Sequence, residues 1–183
     1  MESLVLILIG LPGSGKSTAS SFFTSQNIPV IRMGELTFIE LEKKKLKISF
    51  ENEKYVKEEL RKLYGKKVYA QRVIGRIKDL AFESKVIVIE GMKSKDELDI
   101  FRSYFRNIKI FFVDSDKKNR YKRLEERKFR PLNNKQAQER DKYETNTFSL
   151  ETLRQEADYV IENNENKAKF YIKLKDVLEL SQE

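Results

Sequence analysis

The sequence predicts an α/β domain in which a five-stranded parallel β-sheet carries helices on both faces. Short apolar runs recur along the chain, and the clearest are 4–9, 86–89 and 108–113. They alternate with segments whose apolar residues recur every three or four positions, as in an amphipathic helix. Strands that are apolar throughout are typical of parallel sheets buried between two helical layers. A length of 183 residues suits one domain with an ample core.

Each element is predicted from its own local pattern. The predicted strands are 4–9, 30–33, 86–89, 108–113 and 159–161. The predicted helices are 16–24, 36–46, one that begins at Ser49 and closes at Gly65, 68–82, 94–104, 115–128, 135–143 and 167–180. Ser94, followed three residues later by Glu97, forms a capping-box pattern at the start of one of these helices. Residues 146–149 are predicted to form a loop.

The composition excludes several kinds of chemistry. The chain has no cysteine and no histidine, which excludes disulfides, a thiol nucleophile and any thiolate- or histidine-ligated metal. A general base must therefore be a carboxylate, a lysine or a tyrosine. The run 4–9 is too short for a signal sequence or a membrane span, so a cytoplasmic location with no membrane partner is expected. Abundant Lys and Glu are typical of hyperthermophile proteins.

The first predicted strand ends in a phosphate-binding loop, because Gly10, Gly15, Lys16 and Ser17 fit the pattern G-x-x-x-x-G-K-[ST]. Glycine lets the backbone turn its N–H groups toward phosphate oxygens, and the next helix adds its positive N-terminal end. Lys16 is expected to reach the β and γ phosphates and Ser17 to ligate Mg²⁺, so ATP and Mg²⁺ are the implied cofactors. The candidate nucleotide-binding residues here are Gly10, Leu11, Pro12, Gly13, Ser14, Gly15, Lys16, Ser17 and Thr18.

The net charge of +8 is concentrated in two segments. Residues 43–85 contain 14 Lys and Arg against 6 Asp and Glu, and residues 117–142 contain 11 against 4. Two separate basic segments indicate an anionic ligand that is approached from two sides. Solvated helix faces are one alternative, and a nucleic-acid footprint is another, since the isoelectric point is about 9.4.

Five residues fall just after predicted strands, and these are Gly10, Glu35, Glu90, Asp114 and Asn163. The carboxyl ends of parallel strands meet at one edge of the sheet, where ligands bind in such folds. Glu90 is expected to hold Mg²⁺ or its water shell, or to orient the acceptor hydroxyl, and Asp114 is a second candidate. Asn163 is expected either to border the base of the nucleotide or to cap a helix.

Beyond the phosphate loop, the chain resembles P-loop kinases of the adenylate kinase and dephospho-CoA kinase kind, and especially an archaeal nucleotide-kinase-like group placed beside them. The segments that carry the resemblance are 10–18, 33–36, 64–65 with Arg72, 86–91, 123–127, 140–141 and 157–163. The resemblance covers nearly the whole chain and implies a P-loop NTPase fold with strand order 2-3-1-4-5. It further implies a core of 1–33, 85–126 and 141–183, an acceptor-binding insertion at about 34–84 ("the insertion") and a lid at about 127–140 ("the lid segment").

Phosphoryl transfer depends on positioning and on neutralisation of charge, so cations should surround the transferred group. The candidate catalytic residues are Lys16, Glu90, Arg123 and Arg127. The candidate acceptor-binding residues are Glu35, Arg72, Arg76 and Lys93, and the candidate metal ligands are Ser17 and Glu90. Arg123 and Arg127 are expected at i, i+4 on one helix face, and an ion-pair network with neighbouring glutamates on that helix is the alternative.

Two positions depart from the family pattern. Phe38 stands where the family usually has an arginine that is expected to grip the acceptor phosphate. Lys93 stands in place of an arginine after the third strand, and lysine keeps the charge but loses the bidentate fork. The resemblance therefore implies an intact nucleotide half and an altered acceptor half.

The expected function is ATP·Mg²⁺-dependent phosphoryl transfer to a small phosphorylated acceptor, such as a nucleotide or dephospho-CoA. One alternative is a kinase for RNA or polynucleotide ends, with Tyr55, Tyr64 and Tyr69 interleaved among basic residues. Another is a non-catalytic ATP-binding regulator, which the replacement at Phe38 favours. The expected partners are ATP and a small anionic acceptor, with nucleic acid the weaker alternative. The acceptor's identity, the preference between ATP and GTP and the oligomeric state do not follow from the sequence.

Overall fold

The computed structural model of the protein describes residues 3–148 and 150–182, and within them the chain forms five strands and nine helices. The strands are β1 Leu4–Ile9, β2 Val30–Arg32, β3 Val86–Glu90, β4 Ile108–Asp114 and β5 Tyr159–Glu162. The helices are α1 Lys16–Ser25, α2 Glu35–Lys43, α3 Phe50–Tyr64, α4 Val68–Ala81, α5 Lys95–Tyr104, α6 Lys117–Glu126, α7 Asn134–Thr147, α8 Leu150–Gln155 and α9 Lys167–Leu180.

The strands form one parallel sheet in the order β2-β3-β1-β4-β5, which confirms the predicted fold class and strand order. The central strand, β1, pairs with β3 on one side and with β4 on the other. Because every connection returns to the same end of the sheet, the loops that follow β1, β3 and β4 lie side by side. This edge is where the candidate site is built.

Side chains of β1 alternate between two hydrophobic cores, one on each face of the sheet. Leu4, Leu6 and Leu8 pack on the face covered by α1 and α9, whereas Val5, Ile7 and Ile9 pack on the face covered by helices of the insertion and by α5 and α8. All six side chains are buried. Burial on both faces explains why the strand is apolar at every position.

The structure corrects one predicted segment near the C-terminal end of α7. The loop expected at 146–149 is wrong, because α7 continues to Thr147 and α8 begins at Leu150; Ser149 lies outside the described residues. Glu144 near the end of α7 and Leu150 at the start of α8 are both buried, which the polarity of this part of the sequence does not reveal. Within residues 3–148 and 150–182, no helix combines the length and the apolar character that a bilayer crossing requires.

The lid segment has a small hydrophobic cluster of its own. Tyr121 and Leu124 on α6 pack with Leu132 and Ala137, and all four side chains are buried. The N-terminus of α7 is fixed by a reciprocal capping box between Asn133 and Gln136. The division of the chain into core, insertion and lid segment stays a prediction.

Candidate active site

The loop between β1 and α1 lies close against its neighbours. A Cβ on Gly13 would stand 2.4 Å from the carbonyl oxygen of Arg120, and a Cβ on Gly15 would stand 2.2 Å from Nδ2 of Asn163. Both glycines have positive φ angles, 78° and 116°. Only glycine combines that backbone conformation with such close approach, so local geometry explains why the loop has glycine at positions 13 and 15.

Alanine at position 13 is expected to destabilise the fold by about 1–3 kcal/mol, because its Cβ would collide with backbone and a positive φ is strained for alanine. Gly75→Ala is the matched control, since a Cβ on Gly75, inside α4, has open space around it. The control is expected to stabilise the protein by up to about 1 kcal/mol through helix propensity. Urea unfolding of the two variants measures both effects; equal stabilities would contradict the account.

The N-terminus of α1 is left open. Gly15 precedes the helix without a side-chain cap, and the first turn has no acidic residue. By contrast α3, α5, α7 and α9 are each capped by a side chain, from Ser49, Ser94, Asn133 and Asn166. In the loop itself, the buried Oγ of Ser14 has no hydrogen-bond partner among the described residues. Open N–H groups at a helix N-terminus suit an anion such as a phosphate.

Lys16 folds back over the loop that precedes it. Its Nζ donates to the carbonyl oxygens of Gly10 at 2.7 Å and Leu11 at 2.9 Å. Burial is the largest of the causes that lower the pKa of Lys16 to about 7; the charge of Lys93 acts in the same direction, and Glu144 and Glu90 oppose the shift. The ammonium is thus short of negative charge, which is the condition that a bound phosphate would relieve.

The carboxylate of Glu90 sits at the end of β3 among hydroxyl groups of α1. Ser20 Oγ donates to Glu90 Oε2 at 2.6 Å, and Ser17 Oγ donates to Glu90 Oε1 at 3.3 Å. Arg32 Nε, at the end of β2, lies 3.3 Å from Glu90 Oε2. Ser17 and Glu90, the two predicted metal ligands, are therefore brought together by the sheet. Ser20 and Arg32 were not expected from the sequence.

Arg123 and Asn163 bind the phosphate loop from its other side. Arg123 donates to Asn163 O at 2.7 Å and to Ser115 Oγ at 3.0 Å, and Asn163 Nδ2 donates to Ser14 O at 2.7 Å. Asn163 does not cap α9, whose N-cap is Asn166. Both predicted residues therefore lie against the loop, through bonds to protein atoms.

Arg127 does not share a helix face with Arg123, so the i, i+4 prediction is wrong. The α6 helix ends at Glu126, and Arg127 has extended backbone angles. Further along the chain, Pro131 disfavours right-handed helical geometry in the residue before it, and Arg130 there has a positive φ of 55°. The Arg127 Nε instead donates to the Arg130 carbonyl oxygen.

A buried carboxylate that the sequence analysis missed faces the phosphate loop. Glu144 on α7 accepts from Lys93 Nζ at 2.6 Å and from Arg140 Nε at 3.4 Å. Burial alone would raise the pKa of Glu144, but Lys93, Arg140 and Lys16 outweigh it and hold the pKa at about 2. Glu144, Lys16, Lys93 and Arg140 are here called the Glu144 cluster. Its three cations come from the phosphate loop, from the residues after β3 and from α7.

A second buried carboxylate lies between the insertion and the lid segment. Glu53 on α3 lies 3.1 Å from Lys57 Nζ and 2.6 Å from Arg130 Nη1. Burial lowers the pKa of Arg127, and the charges of Arg140 and Arg130 act in the same direction. The charge of Glu53 opposes this shift but is outweighed. Glu53, Lys57, Arg127 and Arg130 are here called the Glu53 cluster. On the sequence, these residues look like ordinary members of solvated basic helices.

The other predicted acceptor residues lie at the surface. Arg76 Nη1 pairs with Glu35 Oε2 at 3.4 Å, with both side chains about half exposed. The guanidinium of Arg72 lies 5.4 Å from the ring centroid of Tyr64. Lys93, by contrast, belongs to the buried Glu144 cluster. An acceptor-binding role for Glu35, Arg72, Arg76 and Lys93 stays a prediction.

Asp114 and Arg120, near the phosphate loop, both form ion pairs with other protein side chains. Asp114, the second carboxylate candidate, is half exposed and pairs with Arg154 at 3.3 Å. The guanidinium of Arg120 is buried, donates to Pro12 O at 3.0 Å and grips Asp141 with two hydrogen bonds of 2.9 and 2.6 Å. Arg120 therefore fixes α7 to α6 and to the phosphate loop.

Fold and loop together define the class: this is a P-loop kinase fold. Residues 6–144 match a family model described as AAA domain. The chain is 33% identical over 171 residues to a UPF0200 protein of Pyrococcus abyssi, with 91% of each chain covered. A UPF0200 protein of Methanothermobacter thermautotrophicus is 33% identical over 165 residues, covering 89% of this chain and 83% of the relative. The chain belongs to the UPF0200 family.

Solved structures of kinases share the fold. A shikimate kinase from Bacteroides thetaiotaomicron superimposes with a TM-score of 0.62 at 15% identity, covering 98% of this chain and 99% of that one. A dephospho-CoA kinase from Campylobacter jejuni gives a TM-score of 0.57 at 18% identity, covering 98% and 97%. At such identities the likeness concerns the fold alone. It confirms the resemblance to P-loop kinases that the motifs indicated.

Proposed function

We propose that the protein is an ATP·Mg²⁺-dependent phosphotransferase that acts on a small phosphorylated acceptor. The observation that carries the proposal is the Glu144 cluster beside the open phosphate loop. Three cations, Lys16, Lys93 and Arg140, converge there on one carboxylate, which leaves positive charge uncompensated. Phosphoryl transfer needs this surplus, because negative charge is spread over the oxygens of the transferred group.

The residues around Glu90 suit Mg²⁺. The ion prefers oxygen ligands and commonly takes one or two carboxylates, with phosphate oxygens and water completing its octahedron. The Ser17 hydroxyl and the Glu90 carboxylate are 3.3 Å apart, and the hydrogen bond from Ser20 holds the carboxylate in place. Among the described residues, no cluster of three or more acidic side chains offers a competing metal site. Bound Mg²⁺ would supply charge neutralisation between the phosphates.

The other candidates take roles that follow from their positions. Lys16 holds the transferred phosphate, because its Nζ already lies at the loop and lacks a carboxylate partner of its own. Arg123 and Asn163 hold the loop in shape and lie beside the nucleotide. The charges of Arg140 and Arg130 lower the pKa of Arg127, and Arg127 contributes positive charge to the lid segment.

An ATP-consumption assay against a panel of acceptors tests the proposal. The panel contains nucleoside monophosphates and dephospho-CoA as phosphorylated acceptors, shikimate and gluconate as acceptors without phosphate, and a short 5′-hydroxyl RNA. We expect ADP release above the Lys16→Ala blank with a phosphorylated small molecule. ATP binding without stimulation by any acceptor would favour a regulator instead, and Phe38 would then be the main sign of a repurposed acceptor site.

Exposed tyrosines beside cations favour nucleic acid as the alternative substrate. Tyr55 and Tyr64 are exposed on α3, with Lys44 and Arg72 over their rings, whereas Tyr69 is buried in the core. Exposed aromatic rings beside cations suit stacked bases. RNA binding with a steep dependence on salt would support this function. Lack of RNA binding at low salt would exclude it.

Nucleotide binding is expected to take up protons near pH 8. The pKa of Lys16 is about 7 in the free protein, and phosphate oxygens beside the ammonium would raise it toward the ordinary 10.5. Uptake should approach about one proton per ATP at pH 8 and should be small at pH 6. Calorimetry in two buffers of different ionisation enthalpy measures it. Lys16→Arg is the control, because arginine stays charged; equal uptake at both pH values would contradict the assignment.

A further inference from the structure

The Glu53 cluster carries more positive than negative charge. Lys57, Arg127 and Arg130 face the single carboxylate of Glu53, so two positive charges stay uncompensated. Burial is the largest of the causes that lower the pKa of Lys57 to about 8; Glu53 opposes the shift, and Arg140 and Lys93 act in the same direction as burial. Burial would raise the pKa of Glu53 as well, but Lys57 and Arg130 outweigh it and lower the pKa. The Glu53 carboxylate is therefore ionised, but its single negative charge does not neutralise the three cations around it.

The cluster also has hydrogen-bond donors to spare. Arg127 Nη2 and Arg130 Nε are buried and have no partner among the described residues. A buried donor without a partner costs free energy, so such groups commonly await a ligand or water. Two guanidinium nitrogens and an ammonium suit a phosphate group, whose several oxygens accept from forked donors.

Glu53 links the insertion to the lid segment at this point. Arg130 comes from the lid segment, and its guanidinium lies 5.0 Å from the ring centroids of both Phe38 and Phe129. Its backbone stands at a positive φ of 55°, which is strained for a residue with a side chain. The ion pair with Glu53 and the two rings hold Arg130 in that conformation. Position 38, where the family expects an arginine, is thus covered by a guanidinium from the lid segment.

We propose that Lys57, Arg127 and Arg130 form a second anion site for a phosphate monoester on the acceptor, and that the Glu53 carboxylate occupies this site until the acceptor displaces it. The inference rests on the proposed phosphotransferase function, since it names the feature by which the acceptor is selected. A phosphate dianion compensates two of the three positive charges, whereas the Glu53 carboxylate compensates only one. An acceptor without phosphate lacks the charge to replace Glu53, so Glu53 determines specificity.

Titration of the full chain with inorganic phosphate, followed by calorimetry, tests the site. All variants carry Lys16→Ala, so that the phosphate loop contributes less to binding. Removal of one ionised carboxylate from beside the anion, in Glu53→Gln, is expected to raise the affinity for phosphate about tenfold. Loss of a guanidinium, in Arg130→Ala, is expected to lower the affinity about tenfold.

The matched control is Glu156→Gln. Glu156 also pairs with an arginine, Arg102, but this ion pair lies at the surface. Its substitution should change the phosphate affinity by less than about twofold. Glu53 is buried, so circular dichroism first checks that Glu53→Gln is folded. Arg130 is partly exposed, and Arg130→Ala decides the matter if Glu53→Gln does not fold.

Unchanged or weaker phosphate binding by folded Glu53→Gln would overturn the inference. Unchanged binding by Arg130→Ala would overturn it as well. The outcome is separable from that of the proposed function, because phosphate binding requires no turnover. If Glu53→Gln tightens phosphate binding but no acceptor is phosphorylated, the anion site stands and the phosphotransferase falls. If an acceptor is phosphorylated but the substitutions of Glu53 and Arg130 leave phosphate binding unchanged, the phosphotransferase function stands and the anion site falls.

Discussion

Lys16→Ala is expected to lower ATP-dependent phosphoryl transfer by about a hundredfold to a thousandfold while leaving the protein folded. The ammonium of Lys16 is the one cation that belongs to the phosphate loop itself, and its bonds to the Gly10 and Leu11 carbonyls are exchangeable for bonds to phosphate oxygens. Initial rates of ADP release at saturating ATP measure the loss.

The fold should survive because Lys16 does not stabilise it. Its pKa of about 7 lies below the ordinary 10.5, so the folded protein disfavours the charged form at neutral pH. Stability should therefore rise with pH between these two values in the native protein and rise less in Lys16→Ala. Lys175→Ala, on the exposed face of α9, is the control and should retain activity. Global unfolding of Lys16→Ala would count against the role assigned to Lys16.

Glu144→Ala is expected to destabilise the protein by about 3–5 kcal/mol, the cost of leaving a buried cation without its partner. The substitution removes the partner of Lys93 and Arg140 and leaves three cations beside one another, Lys16 included. Urea unfolding at pH 7 measures the change.

The matched control is Glu156→Ala. Glu156 also faces two cations, Lys95 and Arg102, but at the surface. Its loss should cost less than about 1 kcal/mol, as for exposed ion pairs. Equal losses for Glu144→Ala and Glu156→Ala would show that burial of the cluster contributes nothing.

The contribution of Glu144 also has a defined pH dependence. Its pKa in the folded protein is about 2, against an ordinary 4.5. A carboxyl whose pKa is lowered by folding stabilises the fold above its unfolded value and loses that contribution as the pH falls. The difference in stability between the native chain and Glu144→Ala should therefore shrink as the pH falls from about 5 to 2, and a constant difference would argue against an ionised Glu144.

The fold was predictable because its signals are local. The run from Leu4 to Ile9 is apolar at every position, and a strand buried on both faces needs that pattern. The loop motif was predictable too, since backbone geometry requires glycine at its two invariant glycine positions, Gly10 and Gly15. The apolar strand and the glycine loop each span only a few consecutive residues. Residue type and spacing within such a short stretch are enough to indicate the structure.

The buried charges of the site were not predictable in this way. Glu53 lies in one basic segment and Glu144 lies two residues after the other, and only tertiary packing distinguishes them from exposed glutamates. Their partners come from distant segments: Arg130 pairs with Glu53 across 77 positions, and Lys93 with Glu144 across 51. Charge counting located the two basic segments but not the carboxylates that organise them.

The most direct test of the account is to measure ADP and phosphorylated product together. The native chain is given ATP, Mg²⁺ and the acceptor that stimulates ADP release, beside a parallel reaction with Lys16→Ala. We expect equal amounts of ADP and phosphorylated acceptor from the native chain, and about a hundredfold to a thousandfold less of both from the variant. ADP with free phosphate and no phosphorylated acceptor, or equal yields from the two chains, would contradict it.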